Sequence, residues 1–104
     1  MKSAPVRVLH IVPHAGGGMG AVLRALLSAD RGPYSHSVAL LETINDASRA
    51  CFTSLGISWS ECATVKDIGR LIENADLVLA HWWNHPMLMR LLFEGLPPCR
   101  LVLW

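Results

Sequence analysis

The chain has 104 residues, of which 52% are hydrophobic and 16% are charged, and its formal net charge at pH 7 is +1. This length allows one domain with one core, and the apolar content excludes an intrinsically disordered chain. The basic and acidic residues are spread along the sequence, so no cationic patch favours nucleic acid or an anionic membrane as a partner. Membrane association is expected to be peripheral at most.

The three cysteines are an odd number and have no C-x-x-C spacing, so they predict neither a disulfide framework nor a zinc site. They favour a reduced, cytoplasmic setting. The N-terminal sequence lacks the pattern of a signal peptide. Residues 87–96 are the most apolar stretch, but Arg90 and Glu94 interrupt it, and it is about half the ~20 residues that a membrane-spanning helix needs.

The first predicted elements are a strand and a helix joined by glycines. Residues 6–12 (VRVLHIV) are apolar on both faces and rich in β-branched side chains, which predicts a central parallel strand. A glycine-rich segment follows at 16–20. Apolar residues then recur at helical spacing, and Gly32 and Pro33 are expected to end that helix. Its predicted apolar stripe consists of Met19, Val22, Leu23, Leu26 and Leu27.

The second strand is predicted at 36–41 (HSVALL), from its run of apolar residues. Asp46 then fits the N-cap of a short helix over 47–55, which Gly56 would end. Residues 57–60 predict a weaker third strand.

A third helix is predicted to begin at Thr64, because Thr64 and Asp67 resemble a capping box. Residues 76–80 (DLVLA) then predict a short, buried fourth strand. The third helix, which precedes this strand, is expected to bury its apolar residues Val65, Ile68, Leu71 and Ile72.

The last two elements complete a regular alternation of strands and helices. Pro86 fits the first position of a helix through Phe93, and residues 100–104 predict a fifth strand. The alternation predicts a Rossmann-like, doubly wound α/β domain: one parallel sheet of about five strands, ordered 3-2-1-4-5, with helices on both faces. Because the sequence ends within a strand that should be covered, we expect residues 1–104 to be one incomplete N-terminal domain of a longer protein.

The glycines between the first strand and the first helix predict an anion-binding loop. Backbone N–H groups and the positive end of the helix dipole converge there, and glycine lets a phosphate approach the backbone closely. The alternative is a tight turn that binds no ligand. The predicted anion-binding residues are Gly16, Gly17, Gly18 and Gly20.

The same segment partly matches the dinucleotide-binding fingerprint. Gly16, Gly18 and Ala21 fit G-x-G-x-x-A, and Glu42 ends the second strand where an acid would bind ribose. Residues 13–15, however, lengthen the loop beyond that pattern. A nucleotide-binding or NAD(P)-binding module is therefore an alternative hypothesis, whereas the Walker pattern fails because no Lys-Ser or Lys-Thr follows the glycines.

Residues 7–27 (RVLHIVPHAGGGMGAVLRALL) and 75–86 (ADLVLAHWWNHP) together resemble the N-terminal domain of family 4 retaining glycosyltransferases of the GT-B fold. The resemblance implies an acceptor-side domain in which Gly17 and Gly18 match the glycine pair that reaches the diphosphate of a nucleotide sugar. Gly20 departs from the family, which often has an acidic residue there.

The resemblance also implies an activity and partners. It implies transfer of a sugar, with retention, from a nucleotide-sugar donor substrate to a carbohydrate or lipid-linked acceptor, without a further cofactor. The donor-binding C-terminal domain and the family's histidine would lie beyond Trp104. The chain alone is therefore expected to contain no catalytic residue and to be inactive.

The segment after the fourth strand is the predicted acceptor side, because ligands of open α/β sheets bind at the carboxyl ends of the strands. Aromatic faces there stack on sugar rings, and polar side chains bond hydroxyls. The alternative is that the tryptophans pack against helices and that Asn84 or His85 caps the next helix. The acceptor-binding candidates are His14, His81, Trp82, Trp83, Asn84 and His85.

The histidine pairs do not predict a metal site. His81 and His85 straddle a strand-to-helix turn, and His10 points from a strand into a face of the sheet. A remaining hypothesis is an inactive remnant, motivated by the uncovered fifth strand, which predicts poor solubility or oligomerisation.

Overall fold

The computed structural model describes residues 5–30, 32–62, 64–81, 85–94 and 96–103. Strands and helices alternate along these residues. The strands are β1 (Val6–Val12), β2 (Tyr34–Leu40), β3 (Ser58–Glu61), β4 (Leu77–Ala80) and β5 (Leu101–Leu103). The helices are α1 (Gly17–Ala29), α2 (Asp46–Leu55), α3 (Val65–Glu73) and α4 (Pro86–Glu94).

The strands form one parallel sheet in the order β3-β2-β1-β4-β5, which confirms the predicted doubly wound, Rossmann-like topology. β1 lies at the centre and pairs with β2 along its whole length. Because all the strands run the same way, the carboxyl ends of β1, β2 and β4 lie at one edge of the sheet. The crossover at which the strand order reverses lies between β1 and β4, which is where open α/β sheets bind ligands.

The two faces of the sheet have separate cores. On one face, Val12 and Leu40 of the strands pack with Leu23 of α1 and Phe52 of α2. On the other face, the apolar side chains of β1 and β4 pack with α3 and α4. The second core contains Leu9, Ile11, Ile68, Ile72, Val78, Leu88 and Leu91. Alternation along β1 divides its residues between the cores, so this strand is buried on both faces, as the sequence predicts.

Helix α2 begins differently from the prediction. Asn45, not Asp46, is its N-cap: the side chain of Asn45 accepts a hydrogen bond of 2.9 Å from the backbone N–H of Ser48. Asp46 is the first helical residue, so its carboxylate adds only a favourable charge at the helix N-terminus. Gly56 ends the helix as predicted, in the left-handed conformation with φ of 69°.

Helix α1 buries only part of its predicted stripe. Leu23 and Leu27 lie in the core, but Val22 is 54% and Leu26 is 37% exposed. Helices α1 and α2 together cover β1 and β2 on this face of the sheet. Val22 and Leu26 are not part of the core that these helices form with the strands. It ends at Ala29 with Asp30 as its C-cap, before Gly32 is reached.

The other differences are small. Thr64 caps α3 as predicted, since its hydroxyl accepts from the N–H of Asp67 at 3.2 Å. β5 begins at Leu101 instead of Arg100, and β2 begins two residues earlier than predicted. Trp104, the last residue of the predicted fifth strand, lies outside the described residues. Within the described part of the chain, no helix has both the length and the apolar character that a bilayer crossing requires.

Candidate functional site at the carboxyl edge of the sheet

The loop between β1 and α1 places exposed glycines at the carboxyl edge of the central strand. Gly17 has φ of 59°, a conformation that side chains rarely adopt. A Cβ atom added at Gly17 or Gly18 would meet no atom of the described residues within 4 Å. Both residues belong to the first turn of α1, whose N–H groups have no acceptor within the helix. This turn therefore offers backbone donors and the positive end of the helix dipole to a ligand above the sheet.

Gly16 and Gly20 have different roles from their neighbours. Gly16 is the N-cap of α1, and its N–H donates to Nδ1 of His14 at 3.2 Å. Gly20 is buried one turn into the helix. A Cβ atom there would lie 1.9 Å from the carbonyl oxygen of Ala15. Gly20 thus lets the helix approach the loop, and this contact holds the first turn at the edge.

The carbonyl oxygen of Ala15 is the anchor of the loop. It accepts from the hydroxyl of Ser48 at 2.7 Å, and from Asn45 Nδ2 and Arg24 Nη1 at 3.2 Å each. Arg24 also donates to the Ser48 hydroxyl at 2.8 Å. Because Ser48 is completely buried, these bonds are shielded from water, and they hold the loop against α2.

His85 is fixed by two contacts near the start of α4. Its Nδ1 accepts from the backbone N–H of Met87 at 3.1 Å, so His85 caps that helix, one of the alternatives foreseen from the sequence. Its Nε2 lies 3.1 Å from a carboxylate oxygen of Glu42, at the end of β2. Glu42, the acid expected to bind ribose in the dinucleotide hypothesis, is therefore engaged across the carboxyl edge. Three further acceptor candidates, Trp82, Trp83 and Asn84, lie outside the described residues.

His81 turns inward and joins a line of histidines on the α1 face of the sheet. It is 6% exposed, and its Nε2 lies 3.0 Å from Nδ1 of His10. Nε2 of His10 lies 2.9 Å from Nδ1 of His36, and Nε2 of His36 lies 2.6 Å from Oδ2 of Asp30. The line therefore runs from the end of β4, across β1 and β2, to the loop after α1.

Burial keeps two of these rings neutral. Desolvation, together with the neighbouring His81 and His36, lowers the pKa of His10 from 6.5 to about 3. Desolvation lowers the pKa of His81 from 6.5 to about 4. Among the described residues, no group of three or more His, Cys, Asp or Glu side chains has an arrangement that could hold a metal ion.

Sequence reasoning brought the glycine loop and the end of β4 to the same edge, and the structure places Gly17, Gly18, His14 and His85 there. It missed the side chains that fix the loop: Arg24, Asn45 and Ser48. It also missed the partners of His10. The chain matches no protein-family model, no curated protein and no solved structure.

Proposed function

We propose that this chain is the acceptor-side N-terminal domain of a retaining glycosyltransferase of the GT-B type. In this proposal the N–H groups of Gly17 and Gly18 bind the diphosphate of a nucleotide sugar, and the sugar passes to a carbohydrate or lipid-linked acceptor. A second domain binds the rest of the donor. The chain alone therefore binds nucleoside diphosphate but transfers no sugar.

One observation carries the proposal: the exposed first turn of α1 lies at the carboxyl edge of the central strand. Hydrogen bonds to the Ala15 carbonyl oxygen hold the loop before this turn in place. No side chain fills the space beside Gly17 and Gly18 among the described residues. The Ala15 carbonyl is held by Arg24, Asn45 and Ser48, so the donors are positioned before a ligand arrives. Such preorganised donors stabilise charge as it develops on a departing diphosphate.

The acceptor side of the proposal rests on the segment that follows β4. Aromatic and polar side chains at 82–85 have the chemistry to stack on a sugar ring and to bond its hydroxyls. His14, in the glycine loop, lies on the same edge and is half-buried. In this arrangement donor and acceptor meet above β1 and β4.

A pair of substitutions at Gly18 tests diphosphate binding. Gly18→Ala keeps the backbone N–H and adds a methyl group into open space, so affinity for uridine diphosphate should change little. Gly18→Asp places a carboxylate where the diphosphate would lie. We expect it to lower the affinity at least tenfold, which corresponds to about 1.4 kcal/mol, because like charges repel. Isothermal titration calorimetry measures both affinities.

Stability distinguishes loss of binding from loss of the fold. A carboxylate in the first turn of a helix is favourable by about 0.3–1 kcal/mol, so Gly18→Asp should unfold no more easily than the wild type. Gly69→Ala, in α3, is the control for removal of a helical glycine far from the loop. Equal affinity of the Ala and Asp variants, or no binding by the wild type, would contradict the proposal. Saturable NAD binding that Glu42→Arg abolishes would replace it with the dinucleotide hypothesis.

A further inference from the structure

The side chain of Arg24 lies directly behind the glycine loop. Arg24 follows Gly17 by seven residues on α1, so both residues are on the same side of the helix, and helical side chains lean toward the N-terminus. Its Nη1 atom reaches back to the Ala15 carbonyl oxygen, 3.2 Å away. A Cβ atom at Gly20 would lie 3.1 Å from Nη1, so the absence of a side chain at Gly20 leaves room for the guanidinium.

Hydrogen bonding alone does not account for a charged group at this carbonyl. The oxygen of Ala15 has two lone pairs, and neutral donors of Ser48 and Asn45 already bond it at 2.7 and 3.2 Å. Arg24 is therefore a third donor to an acceptor that two neutral groups satisfy. What the arginine adds to those two donors is a full positive charge.

No described carboxylate compensates this charge. Two exposed arginines form ion pairs, Arg7 with Asp76 and Arg90 with Glu94. Arg24 is the only described arginine that is not exposed, and it forms no ion pair with another described residue. A partly buried cation without an opposite charge is unfavourable. The loop therefore has an uncompensated positive charge beside the helix N-terminus, where the helix dipole is positive as well.

We infer that Arg24 supplies the positive charge of the diphosphate site and stabilises the ligand's negative charge from behind the loop, without contacting it. This inference rests on the proposed function and adds to it the residue that makes affinity depend on the ligand's charge. Since consecutive Cα atoms are about 3.8 Å apart and Ala15 precedes Gly17 by two residues, the guanidinium lies on the order of 10 Å from a phosphate at Gly17. Charges at that separation interact when salt is low, because the screening length is about 30 Å at 0.01 M.

The alternative is that Arg24 only holds the loop in shape, as Ser48 and Asn45 do. The two roles respond differently to salt. Ionic strength screens a charge that acts across several ångströms, whereas it has little effect on hydrogen bonds that are shielded from water. The salt dependence of the affinity that a variant loses therefore separates the role of charge from the role of shape.

Calorimetric titration of the 104-residue chain with uridine diphosphate at two salt concentrations tests the inference. Arg24→Gln keeps a hydrogen-bond donor and removes the charge, so affinity should fall about tenfold in about 0.01 M NaCl but only about twofold in about 0.5 M NaCl. Arg24→Lys keeps the charge and should stay within about threefold of the wild type at both concentrations. A loss for Arg24→Gln that is equal at the two concentrations, or equal losses for the two variants, would overturn the inference.

Controls separate this inference from a general effect of charge and from the proposed function itself. Arg70→Gln removes the same charge from an exposed position on α3, on the other face of the sheet, and should change affinity less than about twofold. Circular dichroism shows whether each variant is folded. If Arg24→Gln is unfolded, Arg24→Lys decides, because a tenfold loss at low salt would contradict a role that charge alone fulfils. No binding by the wild type contradicts the proposed function as well, whereas binding that Arg24→Gln leaves unchanged contradicts this inference alone.

Discussion

At the scale of single residues, two glycines two positions apart serve different purposes. Gly18 faces open space, and Gly20 faces the carbonyl oxygen of Ala15. The sequence pattern groups them together, because spacing alone does not reveal which glycine touches backbone. The structure separates a glycine whose side-chain space is available to a ligand from one that the packing of α1 requires.

Gly20→Ala tests the packing role. The added methyl group would collide with backbone, which no rotamer change relieves, so we expect the free energy of unfolding to fall by about 3 kcal/mol. Urea denaturation followed by circular dichroism measures this change. The matched substitution Gly18→Ala should not destabilise the chain, and equal losses for the two variants would contradict the distinction.

The neutral histidines predict acid sensitivity. His10 and His81 have folded-state pKa values of about 3 and about 4, below the ordinary 6.5 that applies when the chain is unfolded. Between those values and 6.5 the unfolded state binds more protons, so stability falls as pH falls, by about 1.4 kcal/mol per pH unit for each ring. Urea denaturation at pH 7 and at pH 5 should show this loss, and His10→Asn should reduce its slope. Equal stability at the two pH values would contradict it.

The histidine line shows where residue-level prediction from sequence stops. The sequence predicts that His10 points into a face of the sheet, and the strand order predicts that β2, β1 and β4 are neighbours. Whether His36 and His81 share that face and height depends on strand register, which β1 sets at Val8 against His36. The available signal was a histidine in β1, one in β2 and one directly after β4, but each strand considered alone shows only an isolated polar residue.

At the scale of elements, the start of α2 links the helix to the glycine loop. The side chain of Asn45 both caps α2 and donates to the Ala15 carbonyl. Sequence reasoning chose Asp46 because both residues are good caps and lie side by side. The choice depends on which side chain can also reach the loop, a tertiary contact.

Asn45→Ala and Asp46→Ala distinguish the two residues. The first removes the cap and one bond to the loop, so we expect it to lower the free energy of unfolding by about 1–2 kcal/mol. The second removes only a charge near the helix N-terminus and should cost about 0.3–1 kcal/mol. Thermal unfolding of both variants measures the difference, and a larger loss for Asp46→Ala would contradict the assignment of the cap.

Most other elements were predictable because their signals are local. Periodicity of two or 3.6 residues, together with Pro86, Thr64 and Gly56, predicts the helices and strands of the described residues in the right order. The exposure of Val22 and Leu26 was not predictable, because a helical stripe shows which residues are apolar but not how wide the contact with the sheet is.

At the scale of the whole molecule, the parallel topology brings the functional candidates together. Parallel pairing places the carboxyl ends of β1, β2 and β4 at one edge, and the sequence predicts this from the alternation of strands and helices. On the α1 face, the described residues line a cavity of about 430 Å³ beside Leu77 and Leu79 of β4. Val102 of β5 is 45% exposed, and the self-association expected of an uncovered edge stays a prediction.

The exposed first turn of α1 is expected to bind a diphosphate. Amide chemical-shift mapping of the wild-type chain with uridine diphosphate tests it most directly. We predict that the largest saturable changes lie at Gly17 and Gly18, and that Val6 and Gly32, at the opposite edge of the sheet, do not change. Saturable changes centred elsewhere, or no changes at millimolar ligand, would contradict the claim.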